Sequence, residues 1–156
     1  MIAQRLQEFL DQHNAMYTHK THRLTYTSKD LAQADHVPPW EVAKTVVVVA
    51  DGVFALAVVP ANAMVDLEAL RRALGIRSVR LASEKEIAAL FPDVELGAMA
   101  PFGNLYGNVP VYVDRALASE EEVVFNAGTH RDVIHMKYRD FAHFVHPEVM
   151  SFAFPG

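Results

Sequence analysis

Apolar residues recur at Ile2, Leu6, Phe9 and Leu10, a spacing that puts them on one face of a helix over residues 2–13. Tyr17 to Thr21 is short and alternating, which predicts a strand. Ser28 stands where it can cap a helix through Leu31, Ala32 and His36, which Pro38 and Pro39 end. The strongest pattern comes next. Ala43 to Ala50 is a nearly unbroken β-branched run, predicting a strand buried on both faces. Asp51-Gly52 suits a two-residue type I′ turn, and Val53 to Val59 returns antiparallel.

Asp66 then opens a helix with Leu67, Leu70 and Leu74 inward and Gly75 as its left-handed cap. Ser78 to Leu81 reads as a short strand. Ser83 and Glu86 form a capping box for a helix through Ile87, Leu90 and Phe91, stopped by Pro92. Gly97 to Pro110 holds three glycines and two prolines and reads as loop. Three further strands are expected at Val109–Val113, Val123–Asn126 and Val133–Tyr138, and Phe141, Phe144 and Val145 suggest a closing helix. The apolar segment Phe152 to Pro155 packs either on the body or on another copy. The pattern predicts an α+β fold with a mixed, partly barrel-like β-sheet surrounded by helices.

Composition narrows the class. At 156 residues, 51% hydrophobic and 21% charged, the chain has the length of one domain, taken as 1–156, and enough apolar residues for a core. No apolar run approaches the roughly 18 residues that span a bilayer. The charged helical start is unlike a secretory signal. The absence of cysteine excludes a disulfide scaffold, a thiolate nucleophile and a sulfur-based zinc site. A cytoplasmic protein without membrane contact is therefore expected. The net charge of −5 argues against a general nucleic-acid coat. Yet Arg71, Arg72, Arg77, Arg80 and Lys85 outnumber Glu84 and Glu86 within residues 71–90, making either a phosphate contact or a solvated helix face.

Four features could carry chemistry. Lys44 heads the apolar strand, either as a solvated strand end or as a cation aimed into a cleft to hold phosphate or carbonyl oxygen. The loop Gly97-Ala98-Met99-Ala100-Pro101-Phe102-Gly103 either offers backbone groups to a ligand or is an ordinary connection. His130, after Gly128 between two expected strands, is a proton shuttle, a hydrogen-bond donor or a turn residue. The eight histidines invite a metal reading. However, His19 and His22, or His130 and His135, fall on opposite strand faces, and His143 and His146 lack a nearby carboxylate. No metal site is expected. GxSxG, P-loop and GxGxxG patterns are missing, so a catalyst here would work by positioning and hydrogen bonding.

Together, Ala43-Lys44-Thr45 opening a hairpin, Gly97-x-x-x-Pro101 followed by Phe102-Gly103, and Gly128-x-His130 resemble the YbaK/ProX family. The stretch with His22, Tyr26, Ser28, Ala32 and His36-Val37 is similar to the family's N-terminal portion, so the likeness spans nearly the whole chain. These proteins are trans-editing aminoacyl-tRNA deacylases related to the editing domain of bacterial prolyl-tRNA synthetases. The resemblance implies an editing-domain fold and hydrolysis of a mischarged aminoacyl-tRNA, with tRNA(Pro) as the expected carrier and no cofactor. It implies that Lys44 binds the terminal nucleotide or the carbonyl, and that Gly97 positions water or ribose. His130 matches a histidine found in part of the family. Thr45, Ala100, Pro101, Phe102, Gly103 and Gly128 would line the substrate site. Thr45 stands where the subgroup acting on alanyl-tRNA(Pro) carries asparagine. Members rely in part on the substrate's own groups, such as the terminal 2′-hydroxyl.

The implied partner is the tRNA acceptor end, with an aminoacyl-tRNA synthetase as a further partner. Arg71, Arg72, Arg77 and Arg80 are candidates for its phosphates, and Phe102 and Tyr106 either stack on terminal bases or fill the underside of the loop. Two other readings fit the same residues: a non-catalytic module that holds an acceptor end or docks on a synthetase, and a small-molecule esterase on this fold.

Overall fold

The computed structural model describes residues 2–156. In chain order its helices are α1 (Gln4–Gln12), α2 (Ser28–Ala34), α3 (Leu67–Leu74), α4 (Glu84–Leu90), α5 (Arg115–Ala118) and α6 (Tyr138–Val145). Its strands are β1 (Tyr17–Thr21), β2 (Ala43–Ala50), β3 (Val53–Pro60), β4 (Ala63–Val65), β5 (Val79–Leu81), β6 (Val111–Asp114), β7 (Glu122–Asn126), β8 (Asp132–Lys137), β9 (Glu148–Met150) and β10 (Ala153–Pro155).

The β2–β3 hairpin organises the molecule. Asp51 and Gly52 both take positive φ (47° and 81°), as a type I′ turn requires. The resulting register pairs Ala50 with Val53 and, at the far end, Lys44 with Val59 and Ala43 with Pro60. The Asp51 carboxylate also accepts the backbone N–H groups of Arg77 (3.1 Å) and Ser78 (2.9 Å), anchoring the chain into β5 beside the turn. The pleat sends alternate residues of the hairpin into two cores. Ala43, Val47, Leu56 and Val58 meet Leu6 and Leu10 of α1, Phe141 of α6, Phe102 and Phe125. Val48, Ala55, Ala57 and Val59 meet Leu70 of α3 and Phe152.

The strands are mixed in direction, as expected for this α+β fold, but they divide among three sheets. The largest has the order β5-β2-β3-β6-β9, with parallel pairing at β3–β6 and β6–β9. A second has the order β1-β8-β7, and β4 and β10 form a separate two-stranded ribbon. A parallel bridge from Val42 to Val124 joins the first two sheets beside Lys44. The curl is partial and does not close into a barrel among the described residues.

Local chemistry accounts for the departures from the sequence pattern. Thr27, not Ser28, caps α2, its hydroxyl accepting the Asp30 N–H at 3.0 Å. That helix stops at Ala34, and His36 lies beyond it with φ 56°. Four short elements have no periodic signal: β4, α5, β9 and β10. Buried Asp114 ties two of them together. Its carboxylate caps α5 through Ala116 N–H (2.9 Å) and accepts Phe152 and Ala153 N–H groups (2.8 and 2.9 Å) at the entry to β10. The C-terminal apolar segment thus packs on the body, with Phe152 buried and Ala153–Pro155 paired to β4. No helix among the described residues is long and apolar enough to cross a membrane.

Asp114→Ala strands these three donors, two of them at the wall of the β4–β10 ribbon. A loss on the order of 3 kcal/mol in urea unfolding is expected, with a larger gain in amide exchange at residues 152–155 than at the β2–β3 hairpin. Uniform exchange across both would contradict the anchoring role.

Candidate functional site

Lys44 faces a cleft of about 400 Å³ lined by Tyr26, Thr27, Ser28, Lys29, Ala61, Met64, Gly97 and Gly156. Its place follows from the pleat. Even-numbered residues of β2 point toward the β4–β10 ribbon, and the Lys44 ammonium donates to the Ala63 carbonyl of β4. Burial, and secondarily the charge of Lys29, hold the Lys44 amine below the usual lysine range. None of the lining side chains is a carboxylate. The pleat turns Thr45 to the other face of the strand, where its hydroxyl is buried without a hydrogen-bond partner among the described residues. Thr45 is not part of the cleft lining.

Two loops close the far side. Glu95 N–H donates to the Gly128 carbonyl (2.8 Å), and Gly128 N–H donates to the Ala98 carbonyl (3.0 Å). The Glu95 carboxylate accepts His130 N–H at 2.8 Å, and the His130 ring bonds the Leu96 carbonyl through Nε2 at 2.7 Å, so Nε2 carries the proton. Gly97 sits between these staples with φ 86°, and a Cβ there would lie 3.5 Å from His130 Cε1. Its own N–H and C=O make no hydrogen bond among the described residues, which leaves both available to a ligand. Gly128 is required differently. Its φ is 99°, and a Cβ would collide with Ala3 Cβ at 2.6 Å, where Ala3 N–H bonds Ala127.

Beneath His130 lies Asp132, buried at the head of β8. It accepts from His19 Nε2 (2.7 Å), Thr21 (3.1 Å) and Thr129 (2.6 Å), and the Thr129 hydroxyl takes the Arg131 and Asp132 N–H groups. Burial alone would raise this carboxyl, but its hydrogen bonds, first that of the chain's amino group and then those of Thr129, His19 and Thr21, together outweigh burial and hold the group well below the usual carboxylate range. The opposite side of the turn bonds Thr25, whose N–H reaches the His130 carbonyl at 3.1 Å. Tyr26, 72% exposed, then lies with its ring 5.1 Å from that of His130.

The structure thus brings Lys44 and Gly97 to one cleft with His130 behind Gly97. It does not bring the other candidates there. Phe102 is fully buried between Phe9, Phe125 and Phe141 and has no face free for a base, so of its two readings it takes the one that fills the underside of the loop and does not line the cleft. Tyr106 is half-buried, bonded to Asp93 (2.8 Å) and covered by the Arg5 guanidinium. Gly103 is buried against the Val109 carbonyl, and Ala100 and Pro101 lie outside the lining. The arginines sit elsewhere. β5 joins β2 at Val48–Ala50, so Arg80, opposite Val49, is roughly 16 Å along the strand from Lys44. Arg71 is paired with Glu68 at 2.6 Å and Arg80 with Glu86 at 2.8 Å. Among the described residues no three metal-ligating side chains converge; His19 and His135 each face one aspartate. Sequence reasoning passed over Lys29 and Glu95, and their neighbours gave no motif to find them by.

Because Asp132 titrates lower when folded than when unfolded, its contribution to stability is full above the unfolded value of about 4 and is lost as pH falls toward the folded one. Urea midpoints measured from pH 7 to pH 3 should fall more steeply for the wild type than for Asp132→Asn. Equal slopes would contradict the geometry.

Comparison with known proteins agrees with this architecture. The structure superposes on the crystal structure of hypothetical protein APE2540 with a TM-score of 0.86, at 21% identity over 97% of this chain and 100% of that one. It superposes on "a putative trans-editing enzyme for prolyl tRNA synthetase" with a TM-score of 0.85, at 23% identity over 97% and 96% of the two chains. No curated protein sequence matches the chain significantly. Residues 22–144 match the aminoacyl-tRNA editing domain, a span holding Lys44, Gly97, Gly128 and His130. On that match the chain belongs to the aminoacyl-tRNA editing domain family.

Proposed function

We propose that this protein hydrolyses the ester joining a wrong amino acid to tRNA, with a mischarged tRNA(Pro) as the substrate. The observation that carries this reading is the pairing, across one cleft, of the Lys44 ammonium with the unpaired main-chain groups of Gly97. An aminoacyl ester is already activated, so its hydrolysis needs a held water and stabilisation of the tetrahedral oxyanion. In the proposed step, water adds to the ester carbonyl, and the proton it gives up is the one that the leaving ribose oxygen gains. The carbonyl oxygen becomes the oxyanion beside Lys44, and the C–O bond to the terminal ribose breaks as the ribose oxygen takes up a proton. Gly97 holds the water or the ribose through its backbone. His130, with Nε2–H committed to Leu96, keeps the Gly97 turn in place and presents its ring to Tyr26.

Among the described residues no histidine is hydrogen-bonded to a hydroxyl at the cleft, so no acyl-enzyme nucleophile of the usual kind stands there. Water is therefore the nucleophile, and the substrate's own 2′-hydroxyl suits the role of holding it. Editing by a second sieve is the physical solution where a synthetase pocket cannot reject small amino acids by binding alone. Ala61 and Met64 give this cleft an apolar wall against which a small side chain would be measured.

Deacylation of Ala-, Cys- and Ser-tRNA(Pro) by the wild type and by Lys44→Ala tests the reading. Turnover of at least one substrate, reduced by roughly 10²–10³ in a folded Lys44→Ala protein, is expected. Turnover of free aminoacyl esters at the same efficiency would favour a small-molecule esterase, and tRNA binding without turnover would favour a binding module. The pH profile has a definite sign. Lys44 acts as a cation and its amine is held below the ordinary lysine range, so kcat/KM should fall as pH rises through that lowered value. A profile that stays flat to the usual lysine pKa of about 10.4 would contradict the role.

A further inference from the structure

The cleft holds two lysines and only one of them is used by the mechanism. Lys29, in the first turn of α2, lines the same cavity as Lys44, and its ammonium donates to the main-chain oxygen of Gly156 at 2.6 Å. Lys44 rests on the Ala63 carbonyl. Lys29 is therefore held by the oxygen of the last residue, Gly156, and Lys44 by a peptide carbonyl of β4, and no side chain that lines the cavity is a carboxylate. The nearest acidic residue in sequence, Asp30, is already engaged by Arg23 at 2.9 Å. The proximity carries a cost, since the charge of Lys29 helps to depress Lys44. Two lysines converging on one cavity that has no acidic side chain in its lining form a site for an anion.

The same short segment supplies an aromatic. Tyr26 is three residues before Lys29, is 72% exposed and rests against His130. Thr25 fixes it to the His130 carbonyl, and the Thr27 cap fixes the start of α2. An exposed ring and a cation on one anchored stretch match a nucleotide's base and its phosphate. The arginines at residues 71–80 offer no such arrangement, being at the far end of β2 with Arg71 and Arg80 already paired.

We infer that Lys29 is the residue that receives the phosphodiester of the tRNA 3′ end, with Tyr26 beneath the terminal base, which leaves Lys44 to the ester carbonyl. The inference rests on the tRNA reading above but concerns binding rather than hydrolysis. The phosphate displaces the Gly156 oxygen from Lys29. This fixes the direction of the strand, which enters past α2 and ends at Gly97.

The test is the salt dependence of binding of an uncharged acceptor microhelix of tRNA(Pro) ending in CCA, measured for the wild type, Lys29→Gln and Arg72→Gln. Both substitutions remove one positive charge from an exposed helical position. For Lys29→Gln the dissociation constant should rise about tenfold, the scale of one charge-assisted hydrogen bond, and the slope of log K against log salt should drop by roughly 1. Arg72→Gln should leave both at the wild-type values. Equal effects from the two variants, an effect from Arg72→Gln alone, or no binding by the wild type at low salt would each overturn the inference. A wild type that binds with the Lys29-dependent slope yet hydrolyses none of the mischarged tRNAs would uphold the binding site and refute the hydrolase reading. Tyr26→Leu supplies the second check: weaker microhelix binding with an unchanged salt slope is expected, and a changed slope or unchanged affinity would contradict the stacked base.

Discussion

A strand buried on both faces admits little freedom, and β2 is such a strand from Val47 to Val49. Its eight-pair register with β3 is set by a turn in which Asp51 and Gly52 must both adopt positive φ. A slip of one residue would exchange the two cores and carry Val48 into the environment of Val47. It would also turn Lys44 from the ribbon side to the side of the main core. The position of the one cation central to the site is therefore a consequence of hydrophobic packing some distance from it. Lys44 stands near the end of the strand, where the apolar environment gives way to a cleft, and burial there depresses its pKa.

The other half of the site is held by hydrogen bonds rather than by apolar contact. Glu95, Gly128, Ala98 and His130 knit two loops together, and Asp132 with Thr129 supports them from below. Backbone groups aimed at a ligand need such support, because a loose oxyanion or water site loses most of its effect. The residues called on to react are few, and those that hold them are many. This is consistent with a reaction whose substrate arrives activated. It also explains why the histidine of the turn serves the geometry through a committed Nε2–H while its ring faces Tyr26.

The elements with a strong period were legible in the sequence, and so was the point where the chain leaves it. The hairpin, α3 with its Gly75 cap and the Ser83–Glu86 capping box each follow from local chemistry that a single segment contains. The short pieces β4, α5, β9 and β10 do not, because they are held by distant partners: β10 pairs with β4, β9 pairs with β6, and Asp114 reaches the entry to β10 nearly forty positions away in sequence. The same distinction runs through the site. Lys44, Gly97 and His130 stand out by motif, and the fold brings the first two to one cavity with the third behind. Phe102 stands out equally, yet its ring belongs to the core, since an aromatic in a glycine-rich loop reads the same whether it points up or down. Lys29 has no motif at all; only the folded approach of α2 to the head of β2 gives it a neighbour.

The central claim is that the acceptor end enters between α2, the head of β2 and the Gly97 turn. Backbone amide chemical shifts of the protein titrated with an uncharged acceptor microhelix test it most directly. The account predicts perturbations concentrated at residues 26–29, 44, 61–64, 95–97 and 128–130. Perturbations centred on residues 71–80 instead, or spread without any at the Gly97 turn, would contradict it.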